Sequence, residues 1–194
     1  MTKSELRKLF LAKRQSLTPS ERDVASGQIV ENFFDNFDLS KIKVVHCFIS
    51  IEKFVEVDTR QIFKRIWSDF PGVTTVVPRV DHETDEIESL IYQLDTELLH
   101  NRWQIGEPTH DDRVDPSELD IVIVPLLCYD RSGHRVGYGK GYYDRLLARC
   151  RADCQKIGLS MFPPIDNIPD SHEGDIRLDA CITPAKVITF KGDV

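Results

Sequence analysis

Ile121-Val-Ile-Val-Pro125 and, eight residues on, Gly133-His-Arg-Val-Gly-Tyr-Gly-Lys-Gly-Tyr-Tyr-Asp-Arg145-Leu-Leu-Ala-Arg149 decide how this chain is read. The first run is short, apolar and β-branched, which predicts a buried strand. The last eight residues, 142–149, carry a helical pattern. Residues 133–145 pack four glycines, two arginines, a lysine, three tyrosines and one carboxylate into thirteen positions. Strand, glycine-rich loop and helix present backbone N–H groups and a helix N-terminus to an anion. Glycine permits close approach of phosphate oxygens and the positive φ that nests of N–H groups need. Arg135, Lys140 and Arg145 add charge that a turn does not require, so the loop reads as a phosphate site.

It is neither of two familiar phosphate loops. Gly139-Lys140 is followed by Gly141 and not by Ser or Thr, which excludes a Walker A loop. Gly137-x-Gly139-x-Gly141 lacks the third glycine of the dinucleotide fingerprint. A turn-rich surface loop is the plain alternative, and the density of cations and tyrosines argues against it.

At 194 residues, with 41% apolar and 29% charged, the chain suits one soluble globular domain, 1–194. No apolar run approaches a membrane span, and the N-terminus has no signal-peptide core, so a cytoplasmic protein is expected. Five cysteines without paired spacing fit a reducing compartment. Cys150 and Cys154 lack the partners for a zinc site, and Cys47, Cys128 and Cys181 sit in apolar runs as core residues. The net charge of −7 disfavours nucleic acid, although residues 1–22 hold six Lys and Arg against two Glu. That segment is the obvious second source of cations for an anionic ligand.

Residues 3–16 read as an amphipathic helix with Leu6, Leu9 and Phe10 on one stripe, bordered by Lys3, Arg7 and Arg14. Alone, those cations read as snorkelling side chains on an exposed helix edge. Thr18-Pro19-Ser20-Glu21 is a capping box opening a helix towards Phe37. Lys43–Ile51 reads as a central strand, and Asp58 as the cap of a helix through Trp67. Strands are expected at Thr74–Val80, Ile87–Tyr92, Lys156–Ser160, Ala180–Thr183 and Val187–Thr189. Two long loops, 94–119 and 161–178, carry anchors such as Trp103, Ile105, Phe162 and Ile165. Alternating strands and helices imply an α/β fold with a largely parallel sheet, with ligands outside the carboxyl ends of its strands.

These residues resemble the 5-formyltetrahydrofolate cyclo-ligase (methenyltetrahydrofolate synthetase) family. The likeness rests on Lys3-x-x-x-Arg7, Glu56-Val-Asp-Thr59, Trp103-Gln-Ile-Gly-Glu-Pro108, the run from Pro125 through Asp130 and the glycine loop to Arg145, and Leu178-Asp179-x-x-Ile-Thr-Pro184. It implies a three-layer α/β/α fold similar to the sugar-phosphate isomerase and CoA-transferase superfamily. It also implies that 5-formyltetrahydrofolate and ATP, with Mg²⁺, give 5,10-methenyltetrahydrofolate, ADP and phosphate. A formamide oxygen is a poor leaving group, and phosphorylation would activate it; such chemistry asks mainly for positioning and charge stabilisation. No Ser-His-Asp or Cys-His constellation is needed, and the six histidines show no metal or triad spacing.

Carried over by the resemblance, ATP would meet Lys3, Arg7 and the loop Arg135, Val136, Gly137, Tyr138, Gly139, Lys140, Gly141, Tyr142 and Tyr143. Arg135, Lys140 and Tyr143 are the expected catalytic groups. Asp144 would hold Mg²⁺, with Asp179 a second candidate, since Mg²⁺ takes one or two carboxylates beside phosphate and water. Folate would meet Glu56, Trp103, Tyr138, Lys140 and Tyr142, together with Ile49 or Ile51. Glu56 would pair with the pterin's amidine-like edge, or else is a solvated acid near a helix cap. Trp103 would stack on folate or anchor its loop.

The chain departs from the family in a longer segment, Ser50–Val55, and at Met161-Phe-Pro-Pro-Ile-Asp166, where relatives often place a glutamine after a phenylalanine. Two rival readings are a sugar-phosphate isomerase or CoA-transferase-like enzyme, and a phosphometabolite-sensing regulator. The first leaves Lys3, Arg7 and Asp144 unexplained; the second needs a DNA-binding helix less acidic than 19–37. The expected protein is a monomer whose partners are two small molecules, not nucleic acid or a membrane.

Overall fold

The computed structural model describes residues 1–81, 83–100 and 106–190. In chain order the elements are α1 (Lys3–Gln15), α2 (Pro19–Asn36), β1 (Val44–Cys47), α3 (Arg60–Asp69), β2 (Thr74–Asp81), β3 (Glu86–Ile91), β4 (Leu98–His100), β5 (Gly106–Pro108) and β6 (Arg113–Val114). There follow β7 (Ile121–Pro125), β8 (Cys128–Tyr129), β9 (Arg135–Val136), α4 (Tyr142–Arg149), β10 (Gln155–Leu159), β11 (Ala180–Ile182) and β12 (Val187–Thr189). Eight strands form one sheet in the order β12-β11-β10-β7-β1-β2-β3-β6. Its centre, from β11 through β10, β7 and β1 to β2, is parallel; β12 pairs antiparallel with β11 at one side, and at the other β3 pairs antiparallel with β2 and β6 with β3.

Alternation along β7 explains the layers. Ile121 and Ile123 point to a cluster with Ile29 and Phe33 of α2 and Ile62 and Ile66 of α3. Val122 and Val124 point the other way, to Leu146 and Leu147 of α4. A strand buried on both faces must be apolar throughout, which is why β7 shows no polar alternation. A third cluster pins α1 across the end of the sheet: Leu6 and Phe10 pack on Leu127, Cys128 and Val136.

Both helices near the N-terminus start with a complete capping box, Thr2 with Glu5 and Thr18 with Glu21. Several expected boundaries shift. The strand expected over 43–51 stops at Cys47, because the chain turns through a 3-10 turn at Glu52–Phe54 and a left-handed Val55 with φ 47°. The α3 N-cap is Thr59; Asp58 instead accepts from the Arg60 backbone N–H at 3.0 Å. The stretch 94–119, expected as a loop, holds the β4–β5 hairpin and β6. Phe162 and Ile165 do anchor their segment, against the α1 cluster.

Candidate active site

A cavity of about 860 Å³ opens where the carboxyl ends of β1, β2 and β7 meet the glycine loop and α1. One end is cationic. Gly139 and Gly141 have φ of 92° and 69°, left-handed conformations that a side chain would strain. A Cβ on Gly139 would sit 3.1 Å from the Arg7 guanidinium carbon, so this glycine also makes room for Arg7. Arg7 Nε donates to the Gly137 carbonyl at 2.9 Å and locks α1 to the loop. Gly141 is the N-cap of α4 and no side chain caps that helix, leaving the N–H groups of its first turn for a ligand. Lys140 is exposed at the cavity wall.

Each remaining cation at this end stands against an acid. Arg135, 8% exposed, donates to Asp144 Oδ1 at 2.8 Å and to the Ile176 carbonyl. Burial pulls the Arg135 pKa down, and Asp144 opposes it. Asp144 Oδ1 also accepts from the Ile176 backbone N–H at 3.1 Å. The Lys3 ammonium pairs with Asp175, and the Lys3 backbone N–H donates to both oxygens of Asp170, at 3.0 and 2.8 Å. Burial pushes the Asp175 carboxyl up, but the Lys3 hydrogen bond and charge bring it below its ordinary value.

The other end is apolar and closes on one acid. Phe48, Ile49, Ile51, Phe54, Val80 and Ile87 line it. Both Ile49 and Ile51 face the cavity, so the longer segment after β1 does not force a choice between them. Glu56 is 2% exposed; its Oε1 accepts from the Tyr138 hydroxyl at 2.5 Å and its Oε2 from the Ile51 N–H at 2.7 Å. Burial raises its pKa, while those bonds and the charges of Arg14 and Arg22 hold it back. Glu56 is therefore no solvated acid. Phe54 lies against the Tyr138 ring at 4.9 Å between centroids. Tyr143 is half-buried between the two ends, its hydroxyl 3.4 Å from His46 Nε2, and desolvation keeps its phenol protonated. Tyr142 lines the rim and donates to Asp85 Oδ1 at 2.9 Å.

Of the residues expected at the site, Lys3, Arg7, Ile49, Ile51, Glu56, Arg135, the loop from Gly137 to Tyr143 and Asp144 border one cavity. Two do not. Val136 is 1% exposed in the α1 cluster, because the β9 pairing turns its side chain inward. Asp179 lies just before β11, where its Oδ2 accepts from the Lys156 backbone N–H at 2.7 Å and pairs with the Lys156 ammonium. That is the amino end of the parallel strands, opposite the cavity, so Asp179 does not border it. Trp103 lies outside the described residues.

Sequence reasoning missed Asp170 and Asp175, which come from the long 161–178 segment, and the burial of Arg14. For Arg14 a signal existed: it falls on the same helix edge as Lys3 and Arg7.

The sequence model of the 5-formyltetrahydrofolate cyclo-ligase family matches residues 1–184. The chain is 29% identical over 179 residues to the Escherichia coli K12 5-formyltetrahydrofolate cyclo-ligase, covering 90% of this chain and 96% of that one. It is 28% identical to the mitochondrial 5-formyltetrahydrofolate cyclo-ligase of Arabidopsis thaliana, covering 97% of this chain and 74% of that one. Among solved structures, Aquifex aeolicus 5,10-methenyltetrahydrofolate synthetase superposes with a TM-score of 0.84 at 31% identity, over 100% of this chain and 95% of that one. With the family match spanning nearly the whole chain and the fold shared end to end, this protein belongs to the 5-formyltetrahydrofolate cyclo-ligase family, whose members convert 5-formyltetrahydrofolate to 5,10-methenyltetrahydrofolate.

Proposed function

We propose that ATP binds at the glycine-loop end of the cavity and 5-formyltetrahydrofolate at the apolar end, so that the formyl oxygen meets the γ-phosphate between them. The observation that carries this is the continuity of one cavity from an uncapped helix N-terminus with Arg7 and Lys140 to the buried Glu56. The triphosphate would lie on the N–H groups of 139–143, with Arg7, Lys3, Lys140 and Arg135 around its charge. The pterin would stack among Phe54, Ile49 and Ile51 and place its paired N–H donors on the Glu56 carboxylate.

The formyl oxygen attacks the γ-phosphorus, the bond from that phosphorus to the bridging oxygen breaks, and ADP leaves. N10 then attacks the activated formyl carbon. The C–O bond breaks, phosphate departs with the electron pair, and the N10 proton is lost, leaving the methenyl bridge. Arg135 and Lys140 stabilise charge on the moving phosphoryl group, and Tyr143 adds a phenol that burial keeps as a donor. The apolar wall keeps water from competing with N10.

Asp144 suits Mg²⁺: Arg135 and Ile176 occupy Oδ1, while Oδ2 receives no hydrogen bond among the described residues. A hard cation asks for one such carboxylate beside phosphate and water, and when bound would neutralise phosphate charge. Five cysteines without a disulfide fit a reducing, cytoplasmic setting. Among the described residues no helix is long and apolar enough to cross a membrane.

The test is the absorbance of methenyltetrahydrofolate formed from 5-formyltetrahydrofolate, omitting ATP or Mg²⁺ in turn. Product at full rate without ATP would overturn the reading. Asp144→Asn should raise the Mg²⁺ midpoint at saturating ATP, and a wild-type midpoint would remove Asp144 from the metal.

A further inference from the structure

Arg14 has no part in that chemistry, yet it is 2% exposed and reaches across the molecule. Its Nη2 donates to the Leu126 carbonyl beyond β7, and its Nη1 to the Tyr138 hydroxyl at 3.1 Å. Its Nε meets no acceptor among the described residues. A guanidinium this deeply buried is costly unless an anion compensates it. Along its hydrogen bonds the anion is one phenol away: Tyr138 accepts from Arg14 and donates to Glu56 Oε1 at 2.5 Å.

Glu56 is held from every side. The Ile51 N–H donates to Oε2, and Arg22 of α2 donates through Nε to the Glu56 carbonyl at 2.8 Å. Tyr138 of the glycine loop and Arg14 of α1 complete the chain. A carboxylate offers about four lone-pair sites, and among the described residues two are used, which leaves two for a planar pair of N–H donors. A protonated Glu56 would lose that pattern. Burial favours the protonated form, and the Arg14 charge opposes it.

We propose that Arg14 is a positioning residue for the folate substrate, fixing the Glu56 carboxylate through the Tyr138 hydroxyl so that it meets the pterin as a two-point acceptor. This rests on the reading of Glu56 as the pterin's partner. Arg14 touches neither substrate. Because Tyr138 stands between Gly137 and Gly139, the same phenol also belongs to the phosphate loop.

The experiment measures KM for 5-formyltetrahydrofolate and for ATP, and the pH profile of kcat/KM for the folate, in Arg14→Met, Arg14→Lys and Tyr138→Phe. Arg14→Met should raise the folate KM by about 10-fold or more, the loss expected of a charge-assisted bond. The ATP KM should move much less. The acid limb of the folate profile should shift to higher pH by about one pH unit, since a cation that favoured the carboxylate is gone. Arg14→Lys should restore most of both. Tyr138→Phe, which keeps the ring, should reproduce the folate defect, and adding it to Arg14→Met should add little. If Arg14→Met does not fold, the lysine and phenylalanine variants carry the same comparison. A merely structural Arg14 would loosen the loop and raise both KM values together with an unmoved profile; that result, or wild-type folate kinetics, overturns the proposal. Glu56→Gln separates the two readings. Unchanged folate KM there removes Glu56 from the pterin, whereas a raised one with normal Arg14→Met kinetics removes Arg14 alone.

Discussion

The two ends of the cavity hold their charges differently. At the glycine-loop end, cations and acids meet in direct pairs at the cavity wall: the side chains of Lys3 and Asp175 are 12% and 13% exposed, those of Arg135 and Asp144 6% and 31%. At the apolar end a single acid, 2% exposed, is bound by a phenol and a backbone N–H, with its arginine one residue removed. A direct pair beside a cavity can exchange its carboxylate for a phosphate oxygen with little net loss, because one anion replaces another. A buried acid served through a phenol cannot be displaced; it can only gain a ligand. The first arrangement suits a triphosphate that must arrive and leave, the second a fixed reference for a planar ring.

The largest effect that would test this contrast is expected at Arg135. Arg135→Gln removes a preorganised cation from the phosphoryl end, and turnover should fall by about 10²–10³-fold, as for loss of one oxyanion-hole donor. The fall should persist at every Mg²⁺ concentration, because Asp144 remains. If added Mg²⁺ restores the rate, Arg135 acts only by orienting Asp144, and the direct-pair picture fails at that point. Arg7→Ala comes next. It should weaken ATP binding by roughly 10–150-fold in calorimetry while leaving the folate KM near normal. An equal loss at both ends would mean that Arg7 braces the whole cavity through the Gly137 carbonyl.

Two glycines of the same loop should separate function from folding. Gly139 has φ 92°, and an added Cβ would meet the Arg7 guanidinium, a side-chain end, at 3.1 Å. Gly133 has φ 84°, and its Cβ would come within 2.9 Å of both the Leu178 carbonyl and the Phe190 ring. Left-handed backbone costs an L-residue about 1–2 kcal/mol at either position, and overpacking adds about 1–3 kcal/mol at Gly133 alone. Gly139→Ala should therefore raise the ATP KM with a small change in denaturant midpoint. Gly133→Ala should lower the midpoint by more and leave the kinetics of the folded fraction intact. Reversed outcomes would place the ligand-binding bend at Gly133.

Legibility in the sequence follows the range of the interactions. The glycine loop, α4 and Asp144 lie within seventeen residues, 133–149, so composition and spacing revealed them. The capping boxes of α1 and α2 were equally local. The sequence put Arg14 on the helix edge of Lys3 and Arg7 but could not show what buries it, because its acceptors at Leu126 and Tyr138 lie 112 and 124 residues away. Asp170 and Asp175 meet Lys3 across 167 and 172 residues, from a segment whose prolines announce only a loop. Val136 misled because it belongs to the motif, yet β9 is a strand and turns alternate side chains to opposite faces. Asp179 misled because motif membership says nothing about which end of a strand a residue occupies. The antiparallel β2–β3 hairpin escaped because apolar periodicity identifies strands but not their direction.

The smallest effect concerns His46, which lies beneath Tyr143 at the boundary between the two ends. It is fully buried on β1, with Nδ1 2.9 Å from Ser89 Oγ and the Tyr143 ring edge-on at 5.8 Å. Burial lowers its pKa from 6.5 to about 3. The unfolded chain therefore binds a proton at His46 that the native protein refuses, and stability is lost as pH falls from about 6.5 towards 3. Between pH 7 and pH 5 the loss should reach about 2 kcal/mol, since each unit below the unfolded pKa is worth about 1.4 kcal/mol. Glu56 works in the opposite sense, because burial raises its native pKa and protonation favours the folded state as pH falls. Wild-type stability alone would blend the two. Denaturant unfolding of wild type and His46→Gln at pH 7 and pH 5 isolates His46, because Glu56 contributes equally to both proteins. The variant should lose ground to wild type at pH 7, where the imidazole packs as a neutral ring, and recover about 2 kcal/mol of that difference at pH 5. Parallel pH dependences would mean that the native state accepts a proton at His46, and that the boundary between the two ends is open to water.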